Sequence, residues 1–451
     1  MSTLRYIYTE IYVIIMPLYQ HRLLLAEVRC RNIFRIKTTS CQYHIECTLC
    51  RLIPRETDGR VIATRGTQNP KKRSISMKFP LRNSAFFMAA CCLFAFAPAA
   101  ASAGDTIKIG VAGAHSGQLA SYGLPTLKAV QIIAEQVNAK GGIHGKKIEV
   151  LSEDDLCKPE IAVNSAKKLI SDGVDAVIGH TCSGPTSAVM PLYKEKSILV
   201  ISPSATTPGL TKDKEYPNFF RTVAPEDAQA QVDVDFILDT LGAKKIALLD
   251  DKGDYGKSFI HFAKEQFEKD GRAKIVLEEG ITQGAVDYSA IVQKIKRSQA
   301  DVVLYGGYHP EASKIVTTMR KKRMKTYFVS DDGIRVQTFI DVAKKYAEGV
   351  YASSSKDTTS NPLAIKAIEE HKKKFGSEPG EFYLNAYTAM IVLVNAIDKA
   401  DSTELSAVAK ALRSEVVATP MGNVSFDEVG DATGIGYAVS KVVDGKFVEQ
   451  K

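Results

Sequence analysis

Short apolar segments alternate with helical patterns from residue 105 onwards, and this alternation constrains the fold more strongly than any other feature of the sequence. The first helix is predicted to carry Pro125 in its first turn and to end at Gly141-Gly142. The first series comprises the predicted strands TIKIGVAGA, KKIEVLSEDD, DAVIGH and ILVISP, with predicted helices over 125–142, 159–171 and 185–195. Because these strands are apolar on both faces, the alternation predicts a parallel sheet that helices cover on both sides.

The pattern then starts again, which predicts a second lobe of similar size. This second series comprises predicted helices over 225–241, 256–269, 288–296 and 310–323 and the predicted strands KKIALLDD, KIVLEEG, DVVLYGG and TYFVSD. Two more helices, predicted over 362–375 and 382–400, indicate that the chain returns after Gly349 to complete the first lobe. The chain ends in GNVSFD and GYAVSKVVDGKFV, and the Asp444-Gly445 pair in the latter run predicts a hairpin.

The expected fold class is therefore α/β, with two Rossmann-like lobes built on parallel sheets. We expect lobe 1 to span 104–224 plus 354–432. We expect lobe 2 to span 225–353 plus 433–451.

Positive charge is concentrated at the start of the chain. Residues 1–103 hold 15 Lys and Arg against 5 Asp and Glu, whereas the other 348 residues hold 44 against 46. The part predicted to fold thus lacks the basic excess that is typical of nucleic-acid-binding proteins, and no nucleic-acid partner is expected.

The stretch MKFPLRNSAFFMAACCLFAFAPAAASAG, which begins at Met77, has the pattern of a secretory signal peptide. Two basic residues precede an apolar run of about a dozen residues, and an A-x-A cleavage site follows. We therefore expect 77–103 to be a signal peptide that is cleaved after Ala103. Because a signal peptide cannot act from the middle of a chain, we expect 1–76 to be a spurious or disordered extension.

The cysteine count changes once this leader is set aside. Of eight cysteines, only Cys157 and Cys182 follow the predicted signal peptide. Two cysteines in an exported protein usually pair, so a disulfide is expected between them. The alternative is a nucleophilic Cys182 activated by His180, although no third residue that would orient this histidine is visible. The CQYHIECTLC stretch near the start lacks the second cysteine pair of a zinc site, and no metal is expected.

Polar loops follow the predicted strands, where ligands bind to open parallel sheets. These loops are AHSGQLASYG, HTCSGPT, SPSATTPG, DKGDYGKS, GGYHPE and SDDGI. Hydroxyl groups and free N–H groups at helix starts suit a carboxylate, whereas an aspartate among phenols suits an ammonium group. The G-x-S-x-G, H-E-x-x-H and P-loop patterns do not occur, so neither an enzyme nor a cofactor is expected.

Eight segments together carry a resemblance to a known family, because their order and spacing match. They are GVAGAHSGQLASYG, VNAKGGIHGKKIEV, DDLCKPEIAV, VIGHTCSGPTS, ISPSATTPGLT, DKGDYGKS, GITQGAVDYSAIV and YGGYHPE. The chain from 105 to about 444 resembles the periplasmic branched-chain amino-acid-binding proteins (leucine/isoleucine/valine-binding) of bacterial ABC importers. The resemblance implies the type I periplasmic-binding-protein fold, in which crossover segments form a hinge between the two lobes.

The resemblance also implies a ligand site. In this family two cysteines form a disulfide beside the site, and they match Cys157 and Cys182. The family's ligand contacts match Ser183, Ser204, Thr206, Tyr308 and Asp332, and its aromatic neighbours match Tyr122, Tyr255 and Tyr387. The Ser183 hydroxyl would hold an α-carboxylate, and the Ser204 carbonyl, Thr206 hydroxyl and Asp332 carboxylate would accept from an α-ammonium. Asp331 is an adjacent alternative to Asp332.

Two positions depart from the family. Asp332 stands where the family has Glu, and Thr181 stands where leucine binders have Leu. Strict Leu/Ile/Val specificity therefore does not follow, and a smaller or polar amino acid, or a related carboxylate, stays open.

The resemblance implies a monomeric periplasmic protein without enzymatic activity that delivers a free amino acid to an inner-membrane ABC permease. The alternative is a ligand sensor or regulatory module of the same fold that signals through a protein partner. A neighbouring permease and ATPase pair in the genome would favour transport, and a neighbouring regulator or kinase would favour sensing.

Overall fold

The structure, a computed structural model, describes residues 106–450. The predicted extension over 1–76 and the predicted signal peptide over 77–103 lie outside the described residues. Within 106–450, no helix combines the length and the apolar character that crossing a membrane requires.

Lobe 1 is built on a five-stranded parallel sheet. Its strands are β1 (Ile107–Gly113), β2 (Ile148–Asp154), β3 (Ala176–Ile178), β4 (Leu199–Ser202) and β5 (Phe219–Arg221). They lie in the order β2-β1-β3-β4-β5, and every pair is parallel. The connecting helices are α1 (Ala120–Ala139), α2 (Pro159–Ser171), α3 (Ser183–Glu195) and α4 (Gly209–Lys212). Helix crossovers are what parallel pairing requires, so the predicted alternation and the observed sheet agree.

Helix α1 begins five residues earlier than predicted, at Ala120 rather than near Pro125. Tyr122 is buried in this first turn, and a side chain at Gly123 would meet the Ala114 carbonyl oxygen at 2.1 Å. The close packing of this turn on the end of β1 offsets the backbone hydrogen bond that Pro125 cannot make inside a helix. Propensity alone therefore placed this helix start wrongly.

Lobe 2 contains a seven-stranded sheet in the order β14-β13-β10-β9-β8-β6-β7. Its elements in chain order are α5 (Glu226–Asp235), a π-helical turn (Phe236–Thr240), β6 (Lys245–Asp250), α6 (Asp254–Asp270), β7 (Lys274–Gly280), α7 (Ser289–Ser298), β8 (Val302–Gly306), α8 (His309–Lys321), β9 (Tyr327–Ser330), α9 (Gln337–Ala343) and β10 (Tyr351–Ser355). Short 3-10 turns lie at Asp332–Ile334 and Lys344–Tyr346. Strands β6 to β10 are parallel to one another.

The chain then returns to lobe 1. Its next elements are α10 (Pro362–Phe375), α11 (Tyr383–Ala400), α12 (Leu405–Ser414), β11 (Val417–Thr419) and β12 (Gly422–Val424). Residues of α11 and α12 share one hydrophobic core with β1, β3 and β4. The helices after residue 355 therefore cover the first sheet.

The chain finally enters lobe 2 again and ends in a hairpin. Strand β13 (Tyr437–Val443) pairs with β10 and with β14 (Lys446–Glu449), both antiparallel. The turn residues Asp444 and Gly445 have φ values of 50° and 72°, as this type of tight hairpin turn requires. The predicted hairpin is confirmed. The chain thus passes between the two sheets three times, in the connecting segments 222–225, 356–361 and 425–436.

Candidate ligand-binding site

Polar and aromatic side chains of both lobes surround a small cavity. Lobe 1 contributes Tyr122, Thr181, Cys182, Ser183, Ser204 and Phe382, and lobe 2 contributes Tyr255, Tyr308, Asp332 and Gly333. Most of these residues follow the carboxyl ends of β3, β4, β6, β8 and β9, where open parallel sheets bind ligands. At about 10 Å³, the free space is no larger than one water molecule requires, so an amino acid would need the cavity walls to move apart.

The structure brings most of the predicted contact residues together. Those that line the cavity are Tyr122, Ser183, Ser204, Tyr255, Tyr308 and Asp332. Thr206 adjoins this wall, because its backbone N–H donates to the Ser183 Oγ at 3.3 Å.

Tyr387 lies elsewhere, and its predicted place at the ligand site is corrected. Its hydroxyl donates to Glu370 Oε2 at 2.6 Å, and its ring packs on Tyr383 within the lobe 1 core. This face of α11 is turned towards the core and α10 rather than the cavity. The aromatic residue that lines the cavity is Phe382, which precedes α11 with a left-handed φ of 60°.

One end of the cavity presents hydrogen-bond donors. Ser183 is the first residue of α3 and is buried. Its oxygen accepts from the Thr206 N–H, and its hydroxyl hydrogen has no acceptor within 106–450, so this hydrogen can be donated to a ligand. The first turn of any helix also leaves backbone N–H groups unpaired and carries partial positive charge. This end is therefore suited to an anion such as a carboxylate.

Another part of the cavity presents a hydrogen-bond acceptor, the side chain of Asp332. Its Oδ1 accepts from the Tyr255 hydroxyl at 2.5 Å, and its Oδ2 is buried without a hydrogen-bond partner among residues 106–450. Burial raises the pKa of this carboxyl to about 7, against the lowering effect of the Tyr255 hydroxyl. A buried carboxylate oxygen without a partner is costly, so a donor with positive charge would stabilise it.

Asp331, the adjacent alternative, has a structural role instead. Its Oδ2 accepts from the Gly307 N–H at 2.9 Å, and its Oδ1 accepts from the Gly333 N–H at 3.0 Å. These contacts tie the loop after β9 to the loop after β8. Asp331 therefore shapes the backbone on which Asp332 is presented.

Tyr122 connects the two lobes across the cavity. Its hydroxyl donates to the Gly333 carbonyl at 2.5 Å and lies 2.7 Å from Nδ1 of His309. Since a carbonyl can only accept, the single phenol hydrogen points to Gly333, and His309 Nδ1 must carry the hydrogen of the second bond. Burial lowers the pKa of His309 to about 4, which keeps this imidazole neutral. The rings of Tyr122 and Tyr308 meet edge to face with centroids 5.5 Å apart.

A disulfide lies in the cavity wall. Cys157 and Cys182 are bonded, with their Cα atoms 5.6 Å apart, within the usual range. His180 is fully buried, with Nδ1 2.7 Å from Asp155 Oδ2 and Nε2 3.1 Å from the Tyr193 hydroxyl. The expected disulfide is confirmed, and the alternative of a free Cys182 nucleophile is wrong because its sulfur is bonded.

Two lobes with parallel sheets, and a small polar cavity at the strand ends, define a bilobal solute-binding protein. The sequence matches the periplasmic binding protein family over residues 106–446, and the chain belongs to that family. The expected family, fold class and solute-binding role are confirmed.

Curated relatives and a solved structure agree with this assignment. The leucine-, isoleucine-, valine-, threonine- and alanine-binding protein of Pseudomonas aeruginosa is 34% identical over 337 residues, 75% of this chain and 90% of the relative. The Leu/Ile/Val-binding protein of Escherichia coli K12 is 33% identical over 352 residues, 78% of this chain and 94% of the relative. LivJ of Streptococcus pneumoniae, solved in complex with isoleucine, has a TM-score of 0.69 and 27% identity, and the match covers 77% of this chain and all of LivJ.

Proposed function

We propose that this periplasmic binding protein captures a free amino acid between its lobes and delivers it to an inner-membrane ABC permease. The observation that carries the proposal is the opposite hydrogen-bond polarity of the two cavity ends. Ser183 offers a hydroxyl hydrogen, and Asp332 offers a carboxylate oxygen without a partner among the described residues. A zwitterion carries both of the complementary groups.

In this proposal the ligand carboxylate lies at the start of α3. It accepts from the Ser183 hydroxyl and from backbone N–H groups of the first helical turn. Its negative charge is favoured there by the helix dipole. The α-ammonium lies between Asp332 Oδ2, the Thr206 hydroxyl and the Ser204 carbonyl, each of which can accept one of its three hydrogens.

The aromatic residues enclose the ligand side chain. Tyr122 and Phe382 approach from lobe 1, and Tyr255 and Tyr308 approach from lobe 2. Contacts with both lobes exist only when the lobes are closed, so binding shifts an open–closed equilibrium towards the closed form. The curated relatives named above are described as binding leucine, isoleucine, valine, threonine or alanine, and this favours the same small aliphatic or polar class as the ligand.

The remaining parts of the proposal concern the cellular role. We infer that residues 77–103 direct export, that cleavage follows Ala103, and that the protein acts as a monomer. The cavity residues are suited to holding a ligand rather than to covalent chemistry, because the cysteine in the wall is bonded to Cys157. The protein is accordingly a carrier and has no catalytic turnover.

Isothermal titration of the purified protein tests the proposal. We expect at least one of the twenty amino acids to bind with a dissociation constant far below millimolar, and its methyl ester and its deaminated analogue to bind much more weakly. Loss of affinity for both analogues would support recognition of both charges. If no amino acid or close relative binds below millimolar, the proposal is wrong.

A further inference from the structure

Thr206 is held by hydrogen bonds through every polar group that it has. Its N–H donates to Ser183 Oγ at 3.3 Å. Its carbonyl accepts from the Glu226 N–H at 3.1 Å and from Arg221 Nη1 at 2.7 Å. Its hydroxyl donates to Glu226 Oε2 at 2.5 Å. Glu226 therefore contacts both the backbone and the side chain of Thr206, and the orientation of the hydroxyl is fixed.

A threonine hydroxyl has one hydrogen and two lone pairs. Where the hydrogen is donated to a carboxylate, only the lone pairs remain, and the hydroxyl can then serve a ligand only as an acceptor. We propose that Glu226 is a positioning residue that makes the Thr206 hydroxyl an acceptor, and so adapts it to a ligand ammonium group, which can only donate. This inference rests on the proposed function, in which Thr206 receives the α-ammonium.

Glu226 is rigidly placed for this role. It is the first residue of α5 and is fully buried. The segment that leads to it is tied to the terminal hairpin, because the Tyr437 hydroxyl donates to the Ala224 carbonyl at 2.6 Å. Its second oxygen, Oε1, has no hydrogen-bond partner among residues 106–450. The carboxyl group is thus fixed at the hinge and directed at Thr206.

The surroundings of Glu226 leave its carboxyl poised between the neutral and ionised forms. Burial raises the pKa of Glu226 to about 7, and the Asp332 carboxylate raises it further. The Thr206 hydroxyl and the Arg221 guanidinium act in the opposite direction. Arg221 is itself engaged, since its Nε donates to Asp431 Oδ1 at 2.5 Å. A ligand ammonium would therefore favour the ionised form of Glu226 and with it the acceptor state of Thr206.

The experiment compares paired ligands that differ only in the amine. The probes are L-leucine, L-valine and L-alanine, each with its 2-hydroxy acid. The readout is the dissociation constant of the 2-hydroxy acid divided by that of the amino acid. A hydroxyl group can donate or accept, so a 2-hydroxy acid tolerates either state of Thr206, whereas an ammonium can only donate. In Glu226→Leu we expect this ratio to fall by about tenfold, because the Thr206 hydrogen is released towards the ligand.

Three further variants separate positioning from general stability. Glu226→Met, which is unbranched, should give the same fall in the ratio and replaces Glu226→Leu if the latter does not fold. In a Thr206→Val background, Glu226→Leu should leave the ratio unchanged, because the hydroxyl that it orients is gone. Asp233→Leu is the matched control, since Asp233 is another fully buried carboxyl of α5 but contacts Ser353 instead of Thr206.

The outcomes distinguish this inference from the proposed function. If the unaltered protein binds none of the three amino acids, the proposed function is wrong and this inference falls with it. If the unaltered protein binds them, but Glu226→Leu and Glu226→Met weaken amino acids and 2-hydroxy acids equally, the inference alone is wrong. An equal fall of the ratio in Asp233→Leu, or in the Thr206→Val background, also overturns it.

Discussion

Removal of the Cys157–Cys182 disulfide should lower the stability of the protein by an amount that the loop length sets. The bond joins residues separated by 25 positions. In the chain-entropy treatment, closing a loop of this length destabilises the unfolded chain by about 3.5 kcal/mol. We therefore expect the Cys157→Ala, Cys182→Ala double variant to unfold more readily by about this free energy.

The corresponding change in melting temperature follows from the size of the folded part. The structure describes 345 residues, and at about 2.1 cal/mol/K per residue their unfolding entropy is about 0.7 kcal/mol/K. A loss of about 3.5 kcal/mol then lowers the melting temperature by about 5 °C. Scanning calorimetry without ligand measures this difference directly.

A reductant provides the matched control. Once thiol titration shows that both sulfurs are free, the melting temperature of the unaltered protein should fall to that of the double variant. The same reductant should leave the double variant unchanged. A shift of less than 1 °C in the reduced protein would refute the loop-entropy reasoning, and free thiols in the untreated protein would refute the disulfide itself.

Further predictions concern the cavity. Because burial raises the pKa of Asp332 and of Glu226 to about 7, these two groups stabilise the ligand-free protein most below about pH 4, and this stability is lost as the pH rises through 7. Amino-acid affinity should change in the opposite direction and fall by up to about tenfold per pH unit below 7 for each group that must ionise. Calorimetry in two buffers should detect the protons that are released on binding. A constant affinity from pH 5 to 8 would contradict this prediction. Asp332→Asn should raise the dissociation constant of an amino acid by at least about 100-fold, because the ammonium loses its charged partner, and an unchanged constant would remove Asp332 from the site. Tyr122→Phe should weaken binding by about tenfold, since the buried Gly333 carbonyl loses its donor. An unchanged titration curve would show that this hydrogen bond does not contribute to lobe closure.

Local patterns were sufficient to predict the helices with clear ends. The predicted bounds of α2 and α10 are those of the structure, because each begins with a proline in its first turn and Asn361 caps the second. Strand β10 was missed because its sequence, YASSS, is polar. Its buried Ser353 accepts from Gln229 and donates to Asp233, both of α5. A polar sequence predicts an exposed segment, but these hydrogen bonds allow the serine to be buried.

The candidate site was predictable to the extent that parallel sheets bring strand ends together. Ser183, Ser204, Tyr308 and Asp332 all lie shortly after the ends of predicted strands. Tyr387 and Phe382 could not be separated in the same way, because the start of α11 and the face that it turns to the core depend on tertiary packing. Glu226 could not be identified either, since it begins a helix in no recognisable motif and its role follows only from its contact with Thr206.

The three passages of the chain between the sheets limit how the molecule can come apart. A protease that cuts one of them, at 356–361 for example, would leave the two lobes connected by the other two segments. The β10–β13 ladder inside lobe 2 would hold the two chain fragments together. Three tethers side by side also permit bending about the axis that they define while resisting rotation of one half against the other. A protein cut once in these segments should therefore still migrate as one particle under native conditions. Lobe closure on a ligand should be a bending motion rather than a twisting one.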